Sequence, residues 1–400
     1  MGRRPTHHDN PAAKPVGRYA LPSFGHSAAE APASAAESAD RANWQKGQLG
    51  PVPPVQGDGI IQLESIIGAA AVAEIEQIQE LRFHSVGDSG VGHAEDAEEV
   101  ANEMATDFKV GSDALNPAFL FHLGDVIYGP NKTEHYGERF YRPYKNYPGK
   151  ILAIPGNHDG EAKSAADEPS LKAFQENFCA LEPTVPEQAK GSGIFRETMT
   201  LPGVYWMLDA PYARIVALYS NRLENQGYLE GKSATGAADT AQRTWLEATL
   251  KKIVAMAEKK ALIIAAHHPP YSLASHPSSP AMTQEIDEAC QAAGLWPDAF
   301  LSGHAHNYQF HLRRTGNKQI PYFVAGTGGI QTQRVPPATG QPTDGATQVT
   351  YEKAVASLGY LFVTVTPKEL KVEFWQLGDE HVKPFNAVTV DLGDHTVASV

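Results

Sequence analysis

Cysteine is scarce in this chain: Cys179 and Cys290 are the only two, far apart in helix-like surroundings, and no Cys-x-x-Cys pair occurs. That excludes a thiolate zinc site and a disulfide-stapled scaffold, and two free thiols are expected rather than one bridge. Long apolar runs are missing as well; nothing approaches the ~18 consecutive apolar residues of a membrane-spanning helix. Basic residues fall short of acidic ones, 33 Lys and Arg against 46 Asp and Glu, for a net charge of −13. Such a surface repels nucleic acid and acidic membranes, so neither is expected as a partner. Arg3-Arg4 is followed by no apolar stretch, so no secretory or twin-arginine signal is read and a cytoplasmic location is the default expectation. No internal repeat is visible. What is present, 42% hydrophobic and 20% charged residues over 400 positions, suits a soluble globular enzyme with a sizeable core.

Residues 1–58 are rich in Pro, Ala, Gly and Ser and lack apolar periodicity, which predicts an extended or disordered arm ahead of one domain over 59–400. His7 and His8 in that arm read as a surface pair. Ile60–Glu80 carries apolar residues at helical spacing and predicts one amphipathic helix. Strands are then expected over Leu81–Val86, Ala118–Leu123, Ile151–Ile154, Ala261–Ala266 and Asp298–Leu301. Helices are expected over Ala94–Phe108, Leu171–Leu181, Thr240–Glu258 (capped by Asp239, with Trp245 on its core face) and Met282–Ala293. His135–Tyr147 also reads as helical, and Ile194–Ser220 as several antiparallel strands. The last third reads as strands interrupted by a Pro/Gly/Thr-rich loop, Val335–Thr347, long enough to be a lid or insertion. The alternation predicts a layered α/β fold with its ligands gathered at the carboxyl ends of strands.

The most informative stretch is FHLGDVIYGP, residues 121–130: a buried strand broken at Gly124, then Asp125 and, three residues on, Tyr128. A carboxylate at the end of a hydrophobic strand is costly unless something pairs with it, and carboxylate and phenol both offer oxygen to a hard cation. Four more stretches have the same form of apolar strand, small residue and polar group. They are GDSG (Asp88), GNHD (Asn157, His158, Asp159), AAHHP (His267, His268) and GHAH (His304, His306). Singly, each has an ordinary reading: Asp88 as a helix cap, Asn157 as a turn residue, His304 and His306 as surface histidines. Together they make a mixed nitrogen and oxygen donor set suited to two first-row metals. A carboxylate shared between them fits ions about 3.5 Å apart, as in two-metal hydrolysis.

The five motifs, in this order, resemble those of the calcineurin-like metallophosphoesterase superfamily, and within it the purple acid phosphatases. Many members of the superfamily have Asp-x-His in the first motif; this chain has Asp88-Ser89-Gly90, and Tyr128 stands where purple acid phosphatases carry an iron-binding tyrosinate. The resemblance implies a sandwich of two mixed β-sheets flanked by helices. It implies a ferric ion on Asp88, Tyr128 and His306, a divalent ion (Fe, Zn or Mn) on Asn157, His267 and His304, and Asp125 shared between them. The family pattern of ligand-x-Pro favours His267 over His268. His158 and His276 stand where the family has outer-sphere histidines beside the substrate phosphate, with His268 a further candidate.

The implied chemistry is hydrolysis of a small phosphorylated substrate, a phosphate monoester, by a metal-bound hydroxide. A ferric ion lowers the pKa of bound water, a tyrosinate on it gives a visible charge-transfer band, and neutral Asn157 suits the divalent ion. His158 or His276, if protonated, donates to the leaving oxygen, which favours an acidic optimum. Two other readings use the same residues: a phosphodiesterase acting on cyclic nucleotides or glycerophosphodiesters, and a non-catalytic scaffold with the same fold. His84, His122 and His311 read as packing or surface histidines.

Overall fold

Buried strands in both sheets break off close to a glycine or alanine, and this arrangement positions everything else. The computed structural model describes residues 49–399 apart from 91–93, 112, 130, 162–167, 233–236, 345–347 and 379–381. Among them, one sheet has seven strands in the order Val397–Ser399, Asn386–Asp391, Glu369–Gln376, Gly359–Val365, Leu81–Val86, Phe119–His122 and Lys150–Ala153. The last three are parallel to one another, with His84 opposite Leu120 and Leu120 opposite Ile151; the others form an antiparallel meander. The second sheet has nine strands: Ile60–Gln62, Trp206–Asp209, Ala213–Leu218, Ala261–Ala266, Ala299–Ser302, Lys318–Ala325, Tyr308–Thr315, Val349–Val355 and Gln341–Asp344. At its centre Ala213–Leu218, Ala261–Ala266 and Ala299–Ser302 run parallel.

The two sheets face each other across a core that includes Phe83, Phe121, Trp206, Ile215, Ile263, Leu301, Tyr308 and Phe374. A second core lies where the helices Ala241–Ala255 and Pro280–Ala293 cover the outer face of the nine-stranded sheet, with Leu246, Leu250 and Ile286 against Val216, Ile264 and Phe300. Parallel strands covered on both faces are expected to be continuous hydrophobic runs, and Phe119–His122 and Ala261–Ala266 are buried at every position. The layered α/β sandwich of two mixed sheets flanked by helices is therefore present.

Several local expectations are corrected. Ile60–Glu80 is not one helix: Ile60–Gln62 pairs in parallel with Met207–Asp209 at a sheet edge, and helices Leu63–Ile67 and Ala69–Ile78 follow, divided at Gly68. Edge pairing outweighs the helical spacing of these isoleucines. His135–Tyr147 is no α-helix: it begins at the last residue of a 3-10 turn, Thr133–His135, and contains a π-helical turn, Gly137–Tyr141, with Tyr136, Phe140, Tyr141 and Tyr144 all buried. Side chains buried on every side fix this irregular backbone. Ile194–Leu201 forms no strand, only an isolated bridge from Thr200 to Cys179. Within the Val335–Thr347 stretch, Gln341–Asp344 is an edge strand paired with Val349–Val355, and 345–347 lie outside the described residues.

Residues 1–48, with His7 and His8, lie outside the described residues. Residues 49–58, assigned by composition to the arm, pack on the body: Val52 is buried, and Gly50 N donates to Asn221 Oδ1 at 2.8 Å. Asp239 Oδ1 accepts from Ala241 N at the start of its helix. Trp245 packs against both cores and donates to the Asp58 carbonyl at 2.9 Å. Cys179 and Cys290 are free thiols.

Candidate metal centre

All five predicted motifs arrive at one place, the carboxyl ends of the parallel strands of both sheets. Asp88 follows Leu81–Val86, Asp125 follows Phe119–His122, and Asn157 follows Lys150–Ala153; from the other sheet, His267 follows Ala261–Ala266 and His304 follows Ala299–Ser302. Asp88, Asp125 and His304 have left-handed backbone, with φ of 63°, 51° and 66°. Such a conformation costs a non-glycine residue about 1–3 kcal/mol and turns each side chain sharply out of its strand. Gly156 lets the Asn157 loop close on Asp125, since a Cβ there would stand 2.1 Å from Asp125 Oδ1. Asp159 then splints the two loops: its carboxylate accepts from Gly156 N at 2.8 Å, Val126 N at 3.1 Å and Ile127 N at 3.2 Å.

Gly90 explains why the first motif lacks a histidine. A Cβ at that position would lie 1.9 Å from the Val126 carbonyl, and Tyr128 N donates to the Gly90 carbonyl at 2.6 Å. The loop that delivers Tyr128 occupies the room a side chain at 90 would need. Ser89 turns away, its hydroxyl 2.7 Å from His122 Nε2.

One group of predicted ligands is bonded within itself. Tyr128 Oη donates to Asp88 Oδ1 at 2.9 Å and stands 3.3 Å from His306 Nε2, which is 3.7 Å from Asp88 Oδ1. Burial, with the charges of Asp88 and Asp125, pushes the Tyr128 phenol well above its usual range, so in the absence of a cation it keeps its proton. Burial, and repulsion from Asp125, raise Asp88 to about 7 against the pull of His267.

The other group is held from outside. His267 Nδ1 donates to the Leu123 carbonyl at 2.9 Å, which turns Nε2 toward Asn157 Oδ1 at 3.1 Å and Asp125 Oδ2 at 3.3 Å. His304 Nε2 donates to the Glu224 carbonyl at 2.8 Å, and Asn157 Nδ2 donates to Glu224 Oε2 at 3.2 Å. Ligand atoms of Asp125, His267 and His304 all lie within 4.8 Å of one another. Burial drives His304 well below its usual range, with the neighbouring His268 and His276 adding to it, and drives His306 down to about 3. Both rings are thus neutral and able to ligate.

This donor set fits a cation. Asp125 Oδ2 is buried with no well-formed hydrogen bond, and the three atoms converging near it, from Asp125, Asn157 and His267, are all acceptors when His267 is neutral. Burial opposes a charge on His267, yet Asp125 and Asp88 raise it to about 9, so electrostatics call for positive charge at this spot. Burial likewise opposes ionisation of Asp125, but His267 and His158 override it and hold its carboxyl below the usual range.

The three remaining predicted histidines differ. His158 has Nδ1 2.9 Å from Glu161 Oε1 and Nε2 3.9 Å from Asp125 Oδ2; Asp125 and Glu161 raise it to about 9 despite its burial. The His276 ring lies against those of His304 and His306, with centroids 4.3 and 5.2 Å away. His268 is corrected: its Nδ1 is 2.8 Å from Ser220 Oγ and its Nε2 donates to the Leu223 carbonyl, so neither nitrogen is left for a substrate. It braces His304, 4.1 Å away between ring centroids. His84, His122 and His311 are buried packing residues.

Sequence reasoning missed Glu224 and Glu161. Glu224 lies beyond Ala213–Leu218, a buried strand followed by Ser220-Asn221, and this sixth break of the same form was the available signal. Nothing local marks Glu161.

The model of the calcineurin-like phosphoesterases matches residues 81–308, more than half of the chain. The chain belongs to the calcineurin-like phosphoesterase family. It is 26% identical to tartrate-resistant acid phosphatase type 5 of Oryctolagus cuniculus over 74% of this chain and 87% of that one. For the protein of the same name from Homo sapiens the figures are 25%, 74% and 86%. Two solved structures share the fold. "GAP50 the anchor in the inner membrane complex of Plasmodium" has a TM-score of 0.51 at 11% identity, covering 76% of this chain and 86% of that one. "Structure of PhoD" has 0.50 at 13% identity, covering 80% and 72%. This calcineurin-like phosphoesterase is a purple-acid-phosphatase-like member and a phosphoric ester hydrolase, and its family and relatives imply a dinuclear metal site. Among its described residues no helix is long and apolar enough to cross a membrane.

Proposed function

We propose that this phosphoesterase hydrolyses phosphate monoesters of small molecules at a binuclear centre. Asp88, Tyr128 and His306 hold a ferric ion, Asn157, His267 and His304 hold a divalent iron, zinc or manganese ion, and Asp125 serves both. The observation that carries the reading is the phenol oxygen of Tyr128 turned inward, 2.9 Å from Asp88 and 3.3 Å from His306. When bound, such an ion pair supplies an activated water in mildly acidic solution and neutralises the phosphoryl oxygens.

The chain's own residues do the rest. Asn157, turned by Glu224, brings a neutral oxygen to the divalent position and limits the negative charge that faces an incoming phosphate. His158, braced by Glu161, and His276, stacked on His304, flank the cluster. Both hydrogen-bond the phosphoryl oxygens, and His158, kept protonated by Asp125 and Glu161, holds at Nε2 the proton for the leaving group. Burial of Asp125, Asp88 and His267 keeps bulk water from screening these charges.

The test compares p-nitrophenyl phosphate with bis(p-nitrophenyl) phosphate on protein of measured metal content. Faster turnover of the monoester supports the proposal. Faster turnover of the diester moves the protein to the phosphodiesterase reading, and turnover of neither, with two metals bound, contradicts both.

A further inference from the structure

Gln333 lies on the stretch that leaves Lys318–Ala325, and this stretch braces the site from one side. Gly87 N donates to the Ala325 carbonyl at 3.0 Å, Gly328 N to the Gly87 carbonyl at 2.9 Å, and Ile330 N to the Asp88 carbonyl at 3.0 Å. Gln333 then reaches two further loops. Its backbone N donates to the His306 carbonyl at 2.8 Å, and its carbonyl accepts from Asn307 Nδ2 at 3.3 Å. Its side-chain Oε1 accepts from Ser275 Oγ at 2.7 Å, and its Nε2 stands 3.0 Å from His276 Nε2. In this orientation the amide NH2 faces Nε2 of the imidazole, and the Glu224 carboxylate on the other side of the ring favours the proton on Nδ1.

His276 has need of such a partner. It sits on a rim loop whose own ties are to its backbone, with Ser272 Oγ donating to the His276 carbonyl at 2.7 Å and a bridge between Leu273 and Pro277. Its ring is stacked on His304 and His306, but stacking does not decide which nitrogen points where. With Nε2 accepting from Gln333, the proton of the neutral ring is on Nδ1, the nitrogen 4.0 Å from Glu224 Oε1, on the side where Glu224 meets Asn157. We propose that Gln333 is the positioning residue for His276: its amide fixes the ring and its tautomer so that Nδ1–H faces the substrate phosphate. This deepens the monoesterase reading and rests on it.

The experiment is a double-mutant cycle on the metal-loaded full chain with p-nitrophenyl phosphate, joined to NMR of the zinc-loaded protein labelled with 15N-histidine. Gln333→Ala lowers kcat about 10- to 100-fold with metal content unchanged. In a His276→Ala background the same substitution does nothing further, because its target is gone. Gln333→Glu, which offers an acceptor to Nε2, moves the ring proton and shifts the His276 nitrogen resonances, and Ser275→Ala gives a smaller loss in the same direction. An equal loss of kcat with and without His276 would overturn the proposal and leave Gln333 as a brace of the His306 loop. Unmoved His276 resonances in Gln333→Ala would overturn it as well. A wild-type chain without monoester turnover defeats the proposed function alone, because the resonances still decide whether Gln333 holds His276.

Discussion

The two groups of candidate ligands differ in how much of their support comes from residues outside the site. Asp88, Tyr128 and His306 are bonded to one another, at 2.9 Å from phenol to carboxylate and 3.3 Å from phenol to imidazole, with the other Asp88 oxygen accepting from His304 N at 2.8 Å. Asn157, His267 and His304 are turned by groups that are not ligands: the Leu123 carbonyl, the Glu224 carbonyl and the Glu224 carboxylate. Asp125 stands between the groups, raising Tyr128 on one side and His267 on the other. The comparison teaches where each half is vulnerable. The tyrosine half is expected to be sensitive at its own candidate ligands, whereas the amide half can be loosened from residues outside the donor set.

The largest effect expected is loss of a ligand in the amide half. Asn157→Ala or His304→Ala should lower kcat/KM by about a thousandfold or more, roughly 4 kcal/mol. A near-normal rate in either variant would break the comparison, because that half would not be needed. Next comes Glu224→Ala, which keeps the residue's carbonyl but removes the side-chain acceptor that turns Asn157. It should weaken the divalent ion about 10- to 100-fold in a competition titration and leave the iron content unchanged. Equal loss of both metals would show that the halves are not independently built.

Gly90→Ala sharpens the comparison on the tyrosine side. The added carbon would meet the Val126 carbonyl, so the variant should lose about 1–3 kcal/mol in urea denaturation and release the Tyr128 loop. Unchanged stability would mean that the Tyr128 loop does not exclude a side chain at 90. The smallest effect belongs to a histidine away from both halves. His311 is buried between Thr343 and Gln309, and burial pushes it down to about 3. Unfolded histidine binds its proton near 6.5, so the unfolded state is the more protonated between about 3 and 6.5. Stability therefore falls as pH drops through that window, and His311→Gln should flatten the slope by about one proton. A slope that does not change would show that His311 titrates alike in both states.

How much was legible before the structure follows from how local each cause is. Phe119–His122 and Ala261–Ala266 were readable as largely apolar runs, and Leu81–Val86, LRFHSV, by the Gly87-Asp88 break that ends it; each break is also where the site gathers. The donors themselves were readable for the same reason. What escaped depends on encounters between distant segments. Ile60–Gln62 becomes a strand only because Met207–Asp209 lies beside it. The His135–Tyr147 stretch is shaped by its buried tyrosines rather than by helical spacing. Glu224 acquires its place only when the loop after Ala213–Leu218 reaches Asn157, 67 residues earlier in the chain. His268 looked like a candidate for the substrate phosphate by its neighbour His267, yet Ser220 and Leu223 claim both of its nitrogens.

The most direct test of the central claim is metal analysis with a visible absorption spectrum, on the wild type and Tyr128→Phe purified without added metal. The account predicts about two metals per chain, one of them iron, with a broad visible band that vanishes in the variant. Two bound metals with no such band, or a band that survives the loss of the phenol, would contradict a ferric ion held by Tyr128.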